Sequence, residues 1–260
     1  MPGGDPLGID CEHRAGIRLA HRPYSHLRIR RFEPATIRRM TTVSTMEVTV
    51  IPVTRFRQNC SLLRCPATNA GAIVDPGGDL DRILGEIEAA GVTMEKIFVT
   101  HGHLDHAGVT SALAAALRVP IEGPHPADQF LIEAIPRQAE RYGVEGASFQ
   151  PDRWLNEADA VTFGEQRLEV LHCPGHTPGH LVFFNRESAY CLVGDVIFNG
   201  SVGRTDLPQG NHDQLVQSIR KKLFPLGDEI TFLPGHGQTS TFGWERMCNP
   251  YVNDLMFDDA

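Results

Sequence analysis

The sequence predicts an α/β protein in which two β-sheets pack face to face and helices cover them. Three observations carry this reading. Short β-like runs fall in two groups, one before about residue 100 and one after about residue 160, with helical segments between and after them. Histidines and aspartates gather where apolar runs end, in Gly- and Pro-punctuated turns, and functional groups collect on loops at a sheet rim. The 260 residues, 41% hydrophobic and 22% charged, suffice for a substantial core.

Taken in order, residues 47–52 alternate through Val48 and Val50 as a strand does. Residues 61–65 and 70–75 follow, the latter closing at Pro76-Gly77-Gly78, a strong turn. Asp79 is expected to cap a helix that places Leu80, Ile83, Leu84 and Ile87 at helical spacing, and Gly91 ends it. A strand over 96–100 then delivers a His-rich loop. A helix over 110–117 comes next, then a longer one within 127–142 that Pro136 should break or bend. In the second half, 161–163, 168–172, 181–185 and 190–194 read as strands, 213–223 as a helix and 229–233 as a last strand.

Residues 1–45 stand apart. They carry a local charge of +4 within a chain of −8, so the remainder carries −12. They lack clear periodicity and an apolar h-region, and acids at Asp5, Asp10 and Glu12 do not suit an Arg-rich presequence. We read them as an extension outside the fold, or as a start assigned upstream of Met46, and 46–260 as the folded domain. Net acidity argues against nucleic acid as a partner. No run approaches the roughly 18 apolar residues of a membrane helix. The six cysteines show no CxxC spacing and read as reduced thiols of a cytoplasmic protein.

The run Thr100-His101-Gly102-His103-Leu104-Asp105-His106 packs three imidazoles and a carboxylate into six residues. These are good ligands for zinc or iron. Alternation sends His101 and His103 in compatible directions if the backbone is extended, and Asp105 and His106 follow after a turn. Of the three imidazoles in the segment 172–180, His176 lies between two Pro/Gly turns where it can project into a cleft. His172 and His180 flank strands and are read as packing or supporting groups, and Cys173 as a poor candidate ligand. Asp195 closes an apolar strand, where a carboxylate is costly unless paired or metal-bound. His236 sits in Pro234-Gly235-His236-Gly237. The count is His101, His103 and His176 on one metal, Asp105, His106 and His236 on a second, and Asp195 shared. Arg204 is either a substrate contact or the partner of Asp206, the pairing being favoured. Phe184 and Phe198 read as core, and Lys221-Lys222 as a solvated face.

THGHLDH, CPGHTPGH, the Gly-Asp of GDVIF and PGHG resemble the metallo-β-lactamase superfamily, and its glyoxalase II branch closely. QNCSLL, VDPGG, GRTDLPQGNH and FLPGHG further resemble its short bacterial glyoxalase-II-like hydrolases. The match runs from about Met46 to the C-terminus. It implies an αββα four-layer sandwich and supports the same seven ligands. Only 24 residues follow His236. The C-terminal helical domain that supplies much of the glutathione-binding surface in typical glyoxalase II enzymes is therefore expected to be missing.

The expected cofactor is two divalent cations, zinc first, with iron or manganese as alternatives. Two such ions about 3.5–4 Å apart lower the pKa of a shared water, and the hydroxide attacks a carbonyl. A thioester suits the site because a thiolate leaves readily, its conjugate acid having a pKa near 8–9. The expected activity is hydrolysis of a small thioester such as S-(2-hydroxyacyl)glutathione, the second step of methylglyoxal detoxification, with Asp105 and Asp195 holding metals and hydroxide. The alternative is a mononuclear-iron persulfide dioxygenase, which resembles this sequence in the same ligand motifs and in the Gly-Arg-Thr-Asp loop. β-Lactam hydrolysis ranks lower, since lactamases of the closest His pattern have Cys where this chain has Asp195. Nuclease and purely structural readings rank lower still.

Overall fold

The computed structural model describes residues 45–257, so the reading of residues 1–45 falls, Thr45 apart, outside the described residues. The chain runs β1 (Glu47–Val53), β2 (Gln58–Arg64), β3 (Ala70–Val74), α1 (Leu80–Ala90), β4 (Thr93–Phe98), α2 (Leu104–Ala107), α3 (Thr110–Leu117), β5 (Ile121–Glu122) and α4 (Gln129–Tyr142). The second half holds β6 (Ala160–Phe163), β7 (Gln166–His172), β8 (Leu181–Asn185), β9 (Tyr190–Gly194), β10 (Ile197–Phe198), β11 (Ser201–Val202), α5 (His212–Ser218), β12 (Thr231–Pro234), β13 (Ser240–Thr241) and α6 (Phe242–Cys248). A π-helical turn over Ile219–Leu223 extends α5.

One sheet has the order β1-β2-β3-β4-β5 and the other β13-β12-β9-β8-β7-β6. β3, β4 and β5 run parallel, as do β9 and β12, while the remaining neighbours are antiparallel. The two-residue period of a strand sorts side chains onto opposite faces. Phe98 therefore points inward, between the sheets, with Leu63, Val74, Phe163, Phe183 and Leu192. Its neighbours Ile97 and Val99 point outward, against Ile83 and Ile87 of α1, Leu113 of α3 and Ile132 and Ile135 of α4. In the second sheet Leu181 and Phe183 face inward. Val182 and Phe184 face outward, against Leu215, Ile219, Leu223 and Phe242. Three apolar layers between four layers of structure make an αββα sandwich, as the sequence predicts. Both faces of each sheet are covered, which is why β3 and β8 are buried along their length and β2 as far as Leu63.

Two local expectations are corrected. Asp79 precedes α1 but does not cap it: it adopts φ 53°, and its carboxylate instead accepts the Thr54 amide at 2.7 Å. Pro136 does not break α4, which runs on to Tyr142. The ring is on the exposed side, where it displaces no core side chain. Helix α2, a single turn carrying Asp105 and His106, lies where the sequence reads as loop, because four residues give no period to detect.

Phe98 is fully buried, with ring centroids of Phe183 and Phe163 at 5.6 and 6.4 Å. Phe98→Ala should cost about 3–5 kcal/mol by opening a cavity between the sheets. Urea unfolding should show this as a lower midpoint at unchanged slope.

Candidate metal centre

Every proposed ligand follows the C-terminal end of a strand on one rim of the sandwich. β4 leads to His101 and His103, and α2 adds Asp105 and His106. β7 runs into the loop with His176, β9 into Asp195 and β12 into His236. Gly194 makes the turn into Asp195 at φ 49°, where a Cβ would press on the His180 ring and the Thr100 hydroxyl. Gly235 is required by space instead. A Cβ there would overlap Asp195 Oδ1 and His106 Cε1.

The structure brings the seven side chains together in two adjoining groups. Nitrogens of His101, His103 and His176 form one, and donor atoms of Asp105, His106 and His236 the other, all within 4.8 Å of one another in each group. His103 Nδ1 lies 3.1 Å from His101 Nε2 and 2.9 Å from His176 Nε2. Asp195 stands between the groups, its carboxylate 3.6 Å from His176 Nε2, 3.3 Å from His106 Nε2 and 3.8 Å from His236 Nε2. His236 Nε2 is also 3.3 Å from Asp105.

The far nitrogens of four of these rings are held by oxygens. His176 Nδ1–H donates to the Arg204 carbonyl at 2.7 Å, and His236 Nδ1–H to the Phe56 carbonyl at 3.2 Å. His106 Nδ1–H donates to Asp75 at 2.9 Å, and His101 Nδ1 meets the Thr100 hydroxyl at 3.0 Å. Fixing the proton on Nδ1 leaves the Nε2 lone pair aimed into the site, the arrangement that metal-ligating histidines use. His106 Nε2 and Asp195 Oδ1 are buried and have no hydrogen-bond partner. Buried unsatisfied groups cost on the order of 1–3 kcal/mol each. A cation between them removes that cost, so the residues fit a divalent metal of the zinc or iron type.

Electrostatics agree. Burial holds the His101 imidazole well below its ordinary pKa and lowers His103 to about 3, so both rings are neutral. Burial alone would raise Asp195, but His106, His176 and His236 hold it well below the usual carboxylate range. Burial alone would lower His106, yet the charge of Asp195, 3.3 Å from its Nε2, and the hydrogen bond to Asp75 raise it well above normal. A bound cation would take the place of that proton.

Asp75, Asp128 and Asn59, which sequence reasoning did not single out, build the frame together with His180, which it read as a supporting group. Asp75 accepts both the amide and the hydroxyl of Thr100, at 2.7 and 2.6 Å, besides His106. Asp128 is buried and accepts the Gly102 amide at 3.0 Å, the Thr177 hydroxyl at 2.8 Å and the Gly179 amide at 2.6 Å. It thereby ties the loop of His101 and His103 to the loop of His176. His180 stacks on His101 at 4.5 Å, and its Nε2 accepts the Asp195 amide at 3.0 Å. Asn59 donates to the carbonyls of Pro234 and Gly237 on either side of His236. Asp75 carried a cue, closing a strand before a Pro-Gly-Gly turn, whereas nothing in the sequence around Asp128 distinguishes it.

The remaining candidates separate cleanly. His172 stacks on His125 at 4.2 Å and bonds the Pro178 carbonyl, away from the ligand groups. Cys173 is buried and its thiol is pushed up to about 12 by desolvation, which unfits it as a thiolate ligand. Arg204 pairs with Asp206 at 2.8 and 2.7 Å and lines the cleft over the site. Phe184 is core, but Phe198 lines that cleft, correcting its assignment. Lys222 donates to the His172 carbonyl and to Glu157 and so is more than a solvated charge. The cleft has a volume of about 830 Å³. Among the described residues no helix is long and apolar enough to cross a membrane.

Residues 53–236 match the family model of the metallo-beta-lactamase superfamily. The chain is 44% identical over 210 residues to hydroxyacylglutathione hydrolase GloC of Haemophilus influenzae, covering 80% of this chain and 99% of that protein. Among solved structures, TTHA1623 in a di-iron-bound form is 34% identical, with a TM-score of 0.72 over 79% of this chain and all of that one. BLEG-1 B3 metallo-beta-lactamase is 30% identical, with a TM-score of 0.73 over 79% and 99%.

Two outcomes follow from the frame. Gly235→Ala should fold but lose metal, read as ions per chain by elemental analysis beside an unfolding curve. Burial raises Asp128 to about 6 despite its three hydrogen-bond donors. The folded protein thus binds this proton more tightly than the unfolded chain. Its contribution to stability is least favourable above pH 6 and improves as pH falls toward 4. The Tm of wild type relative to Asp128→Asn should therefore rise between pH 7 and pH 5, and a pH-independent difference would contradict it.

Proposed function

This chain belongs to the metallo-beta-lactamase superfamily, and we propose that it is a dinuclear metallohydrolase of small thioesters, S-(2-hydroxyacyl)glutathione foremost. The observation that carries the reading is the convergence of seven ligand side chains in two groups joined by Asp195. His101, His103 and His176 would hold one cation, Asp105, His106 and His236 the other, and Asp195 both. Zinc is the first candidate, with iron or manganese as alternatives. Divalent cations bound there supply Lewis acidity, making hydroxide available near neutral pH and polarising a carbonyl.

The chain's own side chains do the rest. Asp195, held ionised, keeps an acceptor at the floor of the cleft, where it can orient a water by its proton. Asp105 does the same on the side of His236. His176 and His236, anchored through Nδ1, keep the floor rigid, so little reorganisation accompanies substrate entry. Phe56, Tyr142 and Phe198 give the cleft apolar walls and exclude water from the acyl group. The likeness to hydroxyacylglutathione hydrolase over nearly that protein's whole length supports thioester hydrolysis above the other reactions of the fold. A reducing, cytoplasmic setting suits a chain whose buried Cys60, Cys65, Cys173 and Cys191 stand as thiols.

Steady-state hydrolysis of S-D-lactoylglutathione, with metal content measured on the same sample, tests the proposal. Turnover with two metals per chain, reduced at least about a thousandfold in Asp195→Asn, is expected. Absence of turnover with a single iron per chain would overturn it in favour of the dioxygenase reading.

A further inference from the structure

We infer that Arg137 and Arg141 of α4 form an anion-recognition edge on the cleft, selecting a thioester whose thiol carrier bears carboxylates. The inference deepens the thioesterase reading and rests on it for the choice of substrate. Four residues apart on a helix, the two side chains share a face, about 6 Å apart along the axis. Both line the same cleft as His103, Asp105, His176, Asp195 and His236. Both are exposed.

Neither guanidinium is held by a carboxylate. Arg153, Arg186, Arg204, Arg220 and Arg246 each lie within 3.2 Å of a carboxylate. Among the described residues neither Arg137 nor Arg141 enters an ion pair; Arg141 only overlies the Tyr142 ring, at 5.7 Å. In a chain that is −12 beyond residue 45, two unpaired guanidiniums beside a reactive cleft concentrate positive potential where an anion would enter. Guanidinium forks suit carboxylates. The helix end carrying them is fixed, because Arg55 donates to the Tyr142 carbonyl at 2.6 Å and Phe56 packs edge-on against the Tyr142 ring. Two forks one turn apart fit the two carboxylates of glutathione, with the thioester directed toward the floor.

Calorimetric titration of the metal-loaded protein with S-methylglutathione and with its dimethyl ester tests this without turnover. Wild type should bind the free acid about tenfold more tightly. The double variant Arg137→Gln/Arg141→Gln should lose that preference while its affinity for the diester is unchanged. Its KM for S-D-lactoylglutathione should rise about tenfold with kcat within about twofold. No preference in wild type, or a preference that survives in the double variant, would overturn the inference. Arginine-dependent binding without hydrolysis would uphold this edge and remove the proposed reaction. Hydrolysis with an arginine-independent preference would do the reverse.

Discussion

One buried carboxylate holds the two halves of the site in register. Asp128 reaches from the turn before α4 to bond Gly102 on one side and Thr177 and Gly179 on the other. His101 and His103 flank the first contact, and His176 precedes the others. Burying an ionisable group is costly, and three donors offset part of that cost. What it secures is alignment: three imidazole nitrogens from two different sheets meet within hydrogen-bonding distance. Without the tie, each loop would be free to settle against its own sheet.

Asp75 plays the corresponding part within the first sheet. Bonded to Thr100 and His106, it links the end of β3 to the loop after β4 and to α2. The tautomers of the rings follow from such contacts, since each oxygen that takes an Nδ1 proton leaves a lone pair on the opposite nitrogen. The charges inside the site depend in turn on burial, which keeps His101 and His103 neutral, and on Asp195, which favours a positive charge nearby. Without cations the site leaves buried polar atoms unpaired, and that mismatch describes its occupant better than any single distance.

Most of this fold was legible because its strands are buried on alternating or on both faces, and such runs are short, apolar and bounded by Gly or Pro. β8, β9 and α3 match the sequence reading residue for residue. The candidate ligands were legible because His and Asp cluster rarely at strand ends without a reason. Less visible was whatever depends on the third dimension. Asp79 looks like a cap but is drawn to the Thr54 amide, 25 residues away. Phe198 looks like core, yet its strand pair lies at the rim, where one side opens to the cleft. Asp128 has no periodicity and no neighbouring ligand to betray it, because its partners lie 26 and about 50 residues distant.

Helix α4 supplies a wall of the cleft through Leu131, Gln138 and Tyr142, but no atom of it belongs to either ligand group. The cage and the wall are thus separate parts of the fold. Mutations on the outer turns of this helix can drift without disturbing the cations, whereas changes in the loops around His101 or His176 disturb both. A molecule built this way can be made to admit a different guest by altering one helix face while its reactive floor stays put.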